Sequence, residues 1–478
     1  MDNTKLTKGI ALPALIAMVV SSSIGAGIFD IPSTLSKVST PGATLVAWAI
    51  TGFGIFMLAL SFSNLVLKRH ELNGVSAYAK AGFGDFSGFL SGWGYWLSAW
   101  LGNVAFATMM MQAIGYFIPE YKTGNSIIAI ITASVVSWGL TILVIRGVET
   151  AAFINTIVTI AKLVPLILFI IGAVIVFKAG IFTAEFWTNV KTHSNGSMSF
   201  STATFAGIWE QVSSSLMSMI WVFIGVEGAA MMADRAKTKS DAARATIIGL
   251  TTLIIFYVII SMLPYGYLNQ SELAKIDSPA LMYLMKDMMG PIGGAIVSIG
   301  LMISILGSWL SWTMLPVEAT SQMAQQGLLP KWFGKMNKNN APANSLILTA
   351  GLVQLFLISL IWTESAYNFA YSLSTAVILV AYAFVSAFQL KVGIQDKSIK
   401  NIVIGLFALA FQVLAIIFAG IQYLWLASIA YILGFIFYVF AKKKENKKIP
   451  LLEWLLIVIV SLAALAAIIC LSLGKLSL

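Results

Sequence analysis

Thirteen apolar stretches, each about as long as a bilayer core is thick, follow one another along the 478 residues. They lie near residues 10–37, 43–66, 87–117, 126–145, 150–177, 210–233, 244–267, 290–320, 344–362, 367–390, 401–420, 422–440 and 450–473. A chain patterned this way has few ways to fold. In hydrocarbon every backbone N–H and C=O needs an internal partner, and an α-helix supplies one within each segment. With 59% hydrophobic and 10% charged residues, no stretch is left over for a soluble domain. The expectation is an all-α polytopic membrane protein of about thirteen spans. Lys5 and Lys8 ahead of the first span read as a signal anchor, not a cleaved leader.

The formal charge of +10 needs no nucleic-acid partner, because its distribution follows the topology. With the N-terminus cytoplasmic, 21 of the 29 lysines and arginines lie inside, 7 lie outside, and Lys162 falls within a span. That bias is the positive-inside rule. An odd span count puts the C-terminus outside, provided that 450–473 crosses completely. The run from Lys442 to Lys448 reads as a stop-transfer signal, with a lipid-headgroup site as the alternative. Two longer outside loops, 178–209 and 268–289, read as ordered lids or short amphipathic pieces. Cys470 is the single cysteine, and His70 and His193 lie outside the spans and far apart. No metal site, cofactor or catalytic cluster is expected from this set, so the chain does not read as an enzyme.

The first span carries an anomaly at its middle: Ser21-Ser22-Ser23-Ile24-Gly25-Ala26-Gly27-Ile28-Phe29. Glycine costs a helix interior about 1 kcal/mol relative to alanine. Freed backbone groups in lipid would cost several kcal/mol more. The stretch fits either a small-residue helix-packing face or a broken helix whose backbone lines a cavity. The sixth span repeats the anomaly at Trp221-Val222-Phe223-Ile224-Gly225-Val226-Glu227, adding an acid at bilayer depth. The two interruptions are 200 residues apart, and each opens a block of five spans. Five is odd, so the second block enters the membrane from the opposite side. That is the pattern of an inverted repeat with its site between two broken helices.

These stretches resemble the amino acid–polyamine–organocation transporters, over about residues 5–440. The resemblance is closest to the bacterial basic amino acid/polyamine antiporters, above all the arginine/ornithine type. Tyr95-Trp96-Leu97-Ser98-Ala99-Trp100-Leu101-Gly102-Asn103 agrees with it, as do Leu310-Ser311-Trp312-Thr313 and Gly327-Leu328-Leu329-Pro330. The resemblance implies a five-plus-five core with broken helices 1 and 6. Its repeats would be 1–178 and 179–392, with two or three extra helices in 393–478. It also implies a multi-pass protein of the bacterial plasma membrane that exchanges a basic amino acid for its metabolic product, without sodium.

It further implies roles by position. Amides of Gly25, Ala26 and Gly27 would hold a substrate carboxylate, and carbonyls near Ser23 and at Ile224 would face the ammonium. Some relatives carry a hydroxyl where this chain has Ala26; its loss would favour substrates whose carboxylate is optional. Trp221 would close over the substrate, whose side chain would lie on Trp312 and reach Asn103. Ser372, Ser374 and Thr375 are further polar candidates. Tyr95, Lys162 and Glu227 would serve gating or proton coupling. Lys162 would stand where sodium-coupled relatives bind their cation; a buried structural ion pair is the alternative. The leading pair is arginine against ornithine. Histidine/histamine, another amino acid/amine pair, or proton-coupled import are the alternatives. A channel or receptor lacks its repeated filter or signalling domain. Partners are thus small amino acids and amines in a lipid bilayer, and the sequence leaves room for a homodimer.

Overall fold

The computed structural model describes residues 10–473 except 194–196, 232, 234, 235 and 363–365, and describes no side chain at 148–157, 159, 160, 366, 419 or 420. Lys5, Lys8, Arg235 and Lys475, which bear on the topology, lie outside the described residues. The chain is helical almost throughout. Its first span is two helices, α1 (Leu12–Ser23) and α2 (Gly27–Ser36), bent by 46° at the break between them. Then come α3 (Pro41–Lys68), α4 (Gly74–Phe83), α5 (Asp85–Ile114), α6 (Ile127–Arg146) and α7 (Val148–Val176). Pro41 opens α3, where its missing N–H is no loss. Ser126 caps α6 by accepting the Ala129 N–H.

The loop over 178–209 is more ordered than a plain connection. It holds α8 (Ala179–Ala184) and an antiparallel hairpin of β1 (Thr188–Thr192) and β2 (Met198–Thr202), with Val190 opposite Phe200. This hairpin departs from the all-α expectation, and its Thr, Val and Phe content suits a strand. The second broken span follows as α9 (Phe205–Trp221) and α10 (Gly228–Met231). After it come α11 (Lys239–Met262), α12 (Gln270–Leu273) and α13 (Ala280–Gln325). Gly290, at φ +73°, followed by Pro291, divides α13 into a short first piece and the expected eighth span. Last come α14 (Ala343–Ser359), α15 (Ala366–Gln395), α16 (Ile399–Ala415), α17 (Ile421–Lys444) and α18 (Leu451–Ser472).

Ten helices among the described residues are long and apolar enough to cross a membrane, and the bent α1–α2 pair makes eleven. The two other expected spans fall on α7 and α9, the latter 17 residues long. The bundle buries its small and aromatic residues and shows aliphatic ones outward. On α18, Leu451, Ile459 and Leu465 are 76, 60 and 56% exposed, a surface suited to lipid and unsuited to water. By contrast α5 is buried along most of its length and packs on α4, α13 and α15. At the end of the bundle where α4 meets α5, Lys442 of α17 and Lys80 of α4 both pair with Asp85, which ties the later helices to the core.

Candidate functional site

The first break begins where α1 runs out of hydrogen bonds. Ile24 N–H still reaches Val20 O, but Ile24 itself leaves the helical region at ψ 83°. Gly25 N–H turns back to Ser23 O at 2.9 Å, a tight turn across one residue. The amides of Ala26 and Gly27 find no partner among the described residues. They point from the N-terminus of α2, the end of a helix that favours negative charge.

The carbonyls freed at the end of α1 are held by a cation. Lys162 is fully buried, and its Nζ donates to Ser21 O at 2.8 Å, Ile24 O at 2.9 Å and Ser308 Oγ at 3.1 Å. Ser308 and Ser304 of α13 also donate to Ile24 O. No carboxylate pairs with Lys162 among the described residues. Its ammonium therefore rests on oxygen dipoles alone, at the negative end of α1.

The second break is held the opposite way. Glu227, also fully buried, accepts the Gly225 N–H at 3.1 Å and the Tyr382 hydroxyl at 2.7 Å, both on Oε2. Its Oε1 has no hydrogen-bond partner among the described residues. Gly225 sits at φ +109°, and a Cβ there would lie 2.8 Å from the backbone carbon of Ser22. Only glycine suits both demands. The carbonyl of Ile224 is left unpaired among the described residues, while Val222 O takes the Tyr257 hydroxyl at 2.6 Å. The two breaks touch: Ser22 Oγ donates to Gly225 O at 2.8 Å.

Between the breaks lies a small buried cavity. Ser22, Ser23, Gly25, Ala26, Gly27, Trp221, Ile224 and Trp312 line it, together with Ser98, Gly102, Phe106 and Ser374. It is closed down to about 10 Å³, room for about one water and not for an amino acid. The closure is aromatic. A Cβ on Gly25 would lie 2.7 Å from Phe106 Cε1, and one on Gly27 would lie 2.7 Å from Trp221 Cδ1. Trp221 is fixed from behind by its N–H bond to Tyr367 Oη at 3.2 Å and by the Tyr371 ring, 5.9 Å away between centroids.

The remaining residues singled out from the sequence fall around this cavity. Trp312 lines it and donates its indole N–H to Ser22 O at 3.0 Å, so it also holds the first break in shape. Tyr95 is buried with its ring 6.0 Å from that of Trp312, and its hydroxyl faces the Glu227 carboxyl without a hydrogen bond of ordinary length among the described residues. Asn103 stands one layer back. Its Nδ2 donates to Trp312 O at 3.2 Å, and its buried Oδ1 is unpaired among the described residues. Of the three polar candidates on α15, Ser374 lines the cavity and bonds Ser98, and Thr375 bonds the carbonyl of Tyr371. Ser372 is buried.

Several participants carry no strong mark in the sequence. Phe106 and Ser98 are ordinary residues of an aromatic, small-residue helix. Ser304 and Ser308 are one turn apart, a spacing that puts two hydroxyls on one face of α13. Tyr367 and Tyr371 share that spacing on α15. Asp30 is an acid inside the first span, and the rule that singles out Glu227 applies to it equally.

The family model of the amino acid permeases matches residues 10–460. An arginine/ornithine antiporter of Lactococcus lactis subsp. cremoris is 49% identical over 484 residues, which covers 99% of this chain and 97% of the relative. An arginine/ornithine antiporter of Latilactobacillus sakei is 50% identical over 475 residues, 98% of each chain. An arginine/agmatine antiporter of Chlamydia felis is 37% identical over 459 residues, 94% of this chain and 93% of the relative. These matches run through both broken helices and the aromatic cavity between them, and they bear out the resemblance read from those motifs. This multi-pass membrane protein belongs to the amino acid permease family.

Proposed function

We propose that the chain exchanges arginine for ornithine across the bacterial plasma membrane by alternating access, without sodium. The observation that carries the reading is the pairing of the breaks. Unpaired amides at Ala26 and Gly27 face a cavity that also presents the unpaired carbonyl of Ile224. An α-amino acid brings the complement of each, a carboxylate and an ammonium. The names of the relatives that match nearly the whole chain select the basic pair. No enzymatic step enters this reading.

In this reading the cavity between the breaks is the substrate site. Ala26 and Gly27 take the carboxylate, and Gly25 keeps the turn close enough for them to do so. Ile224 O takes the α-ammonium, with Ser23 beside it. Trp221 closes over the substrate and Trp312 underlies its cationic end, each an electron-rich face for a guanidinium or ammonium. Asn103 Oδ1 is an acceptor one layer behind Trp312. Lys162 replaces a coupling cation, since its ammonium already neutralises the carbonyls that a metal ion would need. Tyr95 and Glu227 serve gating or proton coupling.

The architecture belongs to the same reading. Residues 1–178 and 179–392 form the two inverted repeats, and 393–478 adds peripheral helices to give thirteen spans. The packing of α3 on α11 and of α5 on α13 supports this, since each pair would be symmetry mates, and so does the packing of α1 on α10 and of α2 on α9, two contacts that the repeat would exchange. The N-terminus is cytoplasmic, the C-terminus is outside, and two copies associate as a homodimer.

The second reading is exchange of arginine for its decarboxylated amine. It draws on the arginine/agmatine name of the 37% identical relative and on the missing hydroxyl at Ala26. Counterflow decides between them. Purified protein in liposomes preloaded with ornithine accumulates labelled arginine, and empty liposomes do not. Faster exchange with agmatine inside selects the amine reading. Uptake into empty liposomes driven by a pH gradient replaces exchange with import.

A further inference from the structure

Asp30 is a buried acid for which the exchange cycle above has no use. It lies on α2, just past the first break, and is 5% exposed. One oxygen accepts the backbone N–H of Ala280 at 3.2 Å, and the other accepts the Thr34 hydroxyl at 3.1 Å. No lysine or arginine pairs with it among the described residues. A buried carboxylate held by two neutral donors is poorly compensated, because acids of this kind are normally matched by a cation.

Its place in the fold suggests where the cation comes from. The end of α2 packs beneath the hairpin, with Thr192 Oγ1 bonded to Lys37 O, so Asp30 lies on the side away from Glu227 and Lys162. That is the outer side in the topology proposed above. Asp30 does not line the closed cavity. Instead it lies three residues along α2 from Gly27, which abuts the ring of Trp221, and α2 packs on α9, the helix that ends at Trp221, whose indole Tyr367 and Tyr371 back. It therefore stands behind the aromatic lid, where a substrate arriving from outside would pass. Its two donors differ in kind. Thr34 rides on the same helix, whereas Ala280 begins α13, a separate element. A swing of α2 away from α13 would break the bond to Ala280 and free one carboxylate oxygen.

We propose that Asp30 is a specificity residue that receives the side-chain cation of the substrate on the outer side, and that it returns to the Ala280 N–H as the lid closes. This rests on the exchange reading, since arginine and ornithine each bring the cation that the protein omits here. It also makes capture and closure exclusive: one carboxylate oxygen serves either the incoming cation or the start of α13.

The test is Asp30→Asn, which keeps the size and one acceptor oxygen and removes the charge. In liposomes with one orientation made accessible, the external KM for arginine and for ornithine should rise about tenfold, while the internal KM stays unchanged. The wild-type external KM should increase with ionic strength, and that dependence should vanish in Asp30→Asn. Asp30→Glu, which keeps the charge, should retain it. Equal shifts on both sides, or a salt dependence that survives Asp30→Asn, would reduce Asp30 to a helix cap and overturn the proposal. If Asp30→Asn does not fold, loss of the salt dependence in Asp30→Glu overturns it and retention supports it. Wild-type vesicles separate the two readings. No arginine–ornithine exchange there overturns the transport reading and this one with it, whereas normal exchange with an indifferent Asp30→Asn overturns this one alone.

Discussion

The two helix breaks face one problem and meet it with opposite charges. At the first, carbonyls freed at the end of α1 are held by the buried ammonium of Lys162 with Ser308. At the second, the amide of Gly225 is held by the buried carboxyl of Glu227 with Tyr382. Each charge matches the helix end beside it, a cation at the C-terminus of α1 and an acid at the N-terminus of α10. What each break leaves unpaired is then opposite as well: amides at Ala26 and Gly27, a carbonyl at Ile224. The side chains hold the backbone ends that face away from the cavity. The backbone ends that face it are those to which the proposed function assigns a carboxylate and an ammonium.

The largest expected effect comes from removing the cation. Lys162→Ala leaves Ser21 O and Ile24 O to the hydroxyls of Ser304 and Ser308, and each buried carbonyl left short of a partner costs about 1–3 kcal/mol. Arginine counterflow should fall about 100-fold or more while the protein still inserts and elutes as a single species. Glu227→Gln is the mirror substitution. It keeps an oxygen for Tyr382 and Gly225, so counterflow should fall by only about tenfold. Equal losses from the two variants would mean that both charges do the same job and would break the comparison.

Next come the glycines, which look alike in sequence and differ in environment. A Cβ on Gly225 meets the backbone of Ser22 and needs φ +109°, so Gly225→Ala should destabilise the fold by about 1–3 kcal/mol whatever the substrate. A Cβ on Gly25 meets only the edge of the Phe106 ring, which can turn aside. Gly25→Val should therefore fold with a normal melting temperature and lose arginine uptake. Binding of the decarboxylated amine should be spared, because it has no carboxylate for the amides to hold. Calorimetry with both ligands reads this directly. Equal loss of amino acid and amine would make Gly25 a shaping residue, and an unfolded variant would make the stretch a packing face.

Much of this was legible before any coordinates, and for a physical reason. A glycine pair or an ionisable side chain at bilayer depth is costly, so it stands out against an apolar background. Gly25, Gly27, Gly225, Lys162 and Glu227 all announce themselves that way. The closure of the cavity does not. Phe106, Tyr367 and Tyr371 are three aromatics in a chain with 29 Phe and 14 Tyr, and only packing says which of them meet Trp221. The role of Trp312 was half visible. Its ring suits a cation, but its N–H bond to Ser22 O needs the fold to bring α13 to α1.

That double role makes a medium-sized prediction. Trp312→Leu removes both the ring and the N–H, and should weaken arginine binding by about 1–2 kcal/mol from the ring alone. Trp312→Phe keeps an aromatic face and leaves Ser22 O unpaired. If the ring matters most, Phe should restore most of the affinity lost by Leu. If Phe and Leu are equally weak in calorimetry, Trp312 acts through the first break, and its effect should then be shared by agmatine, ornithine and arginine alike.

The smallest expected effect is none, and it tests the first break more cleanly than any substitution. Sodium at such a break would be held by the carbonyls at the end of α1 and by hydroxyls of the eighth span. Here Ser21 O, Ile24 O and Ser308 Oγ are each within 3.1 Å of Lys162 Nζ, so the position is filled by a tethered cation. Replacing sodium by choline on both sides of the liposome should leave the rate of arginine–ornithine exchange unchanged. A requirement for sodium would sink the assignment of Lys162, because two cations cannot share those oxygens. Lys162→Ala extends the test. If sodium then restores even a small part of the exchange, and choline does not, the lysine and the ion are equivalent at this break. If neither does, the lysine supplies more than a charge: its alkyl stem reaches from α7 and ties that helix to the broken one.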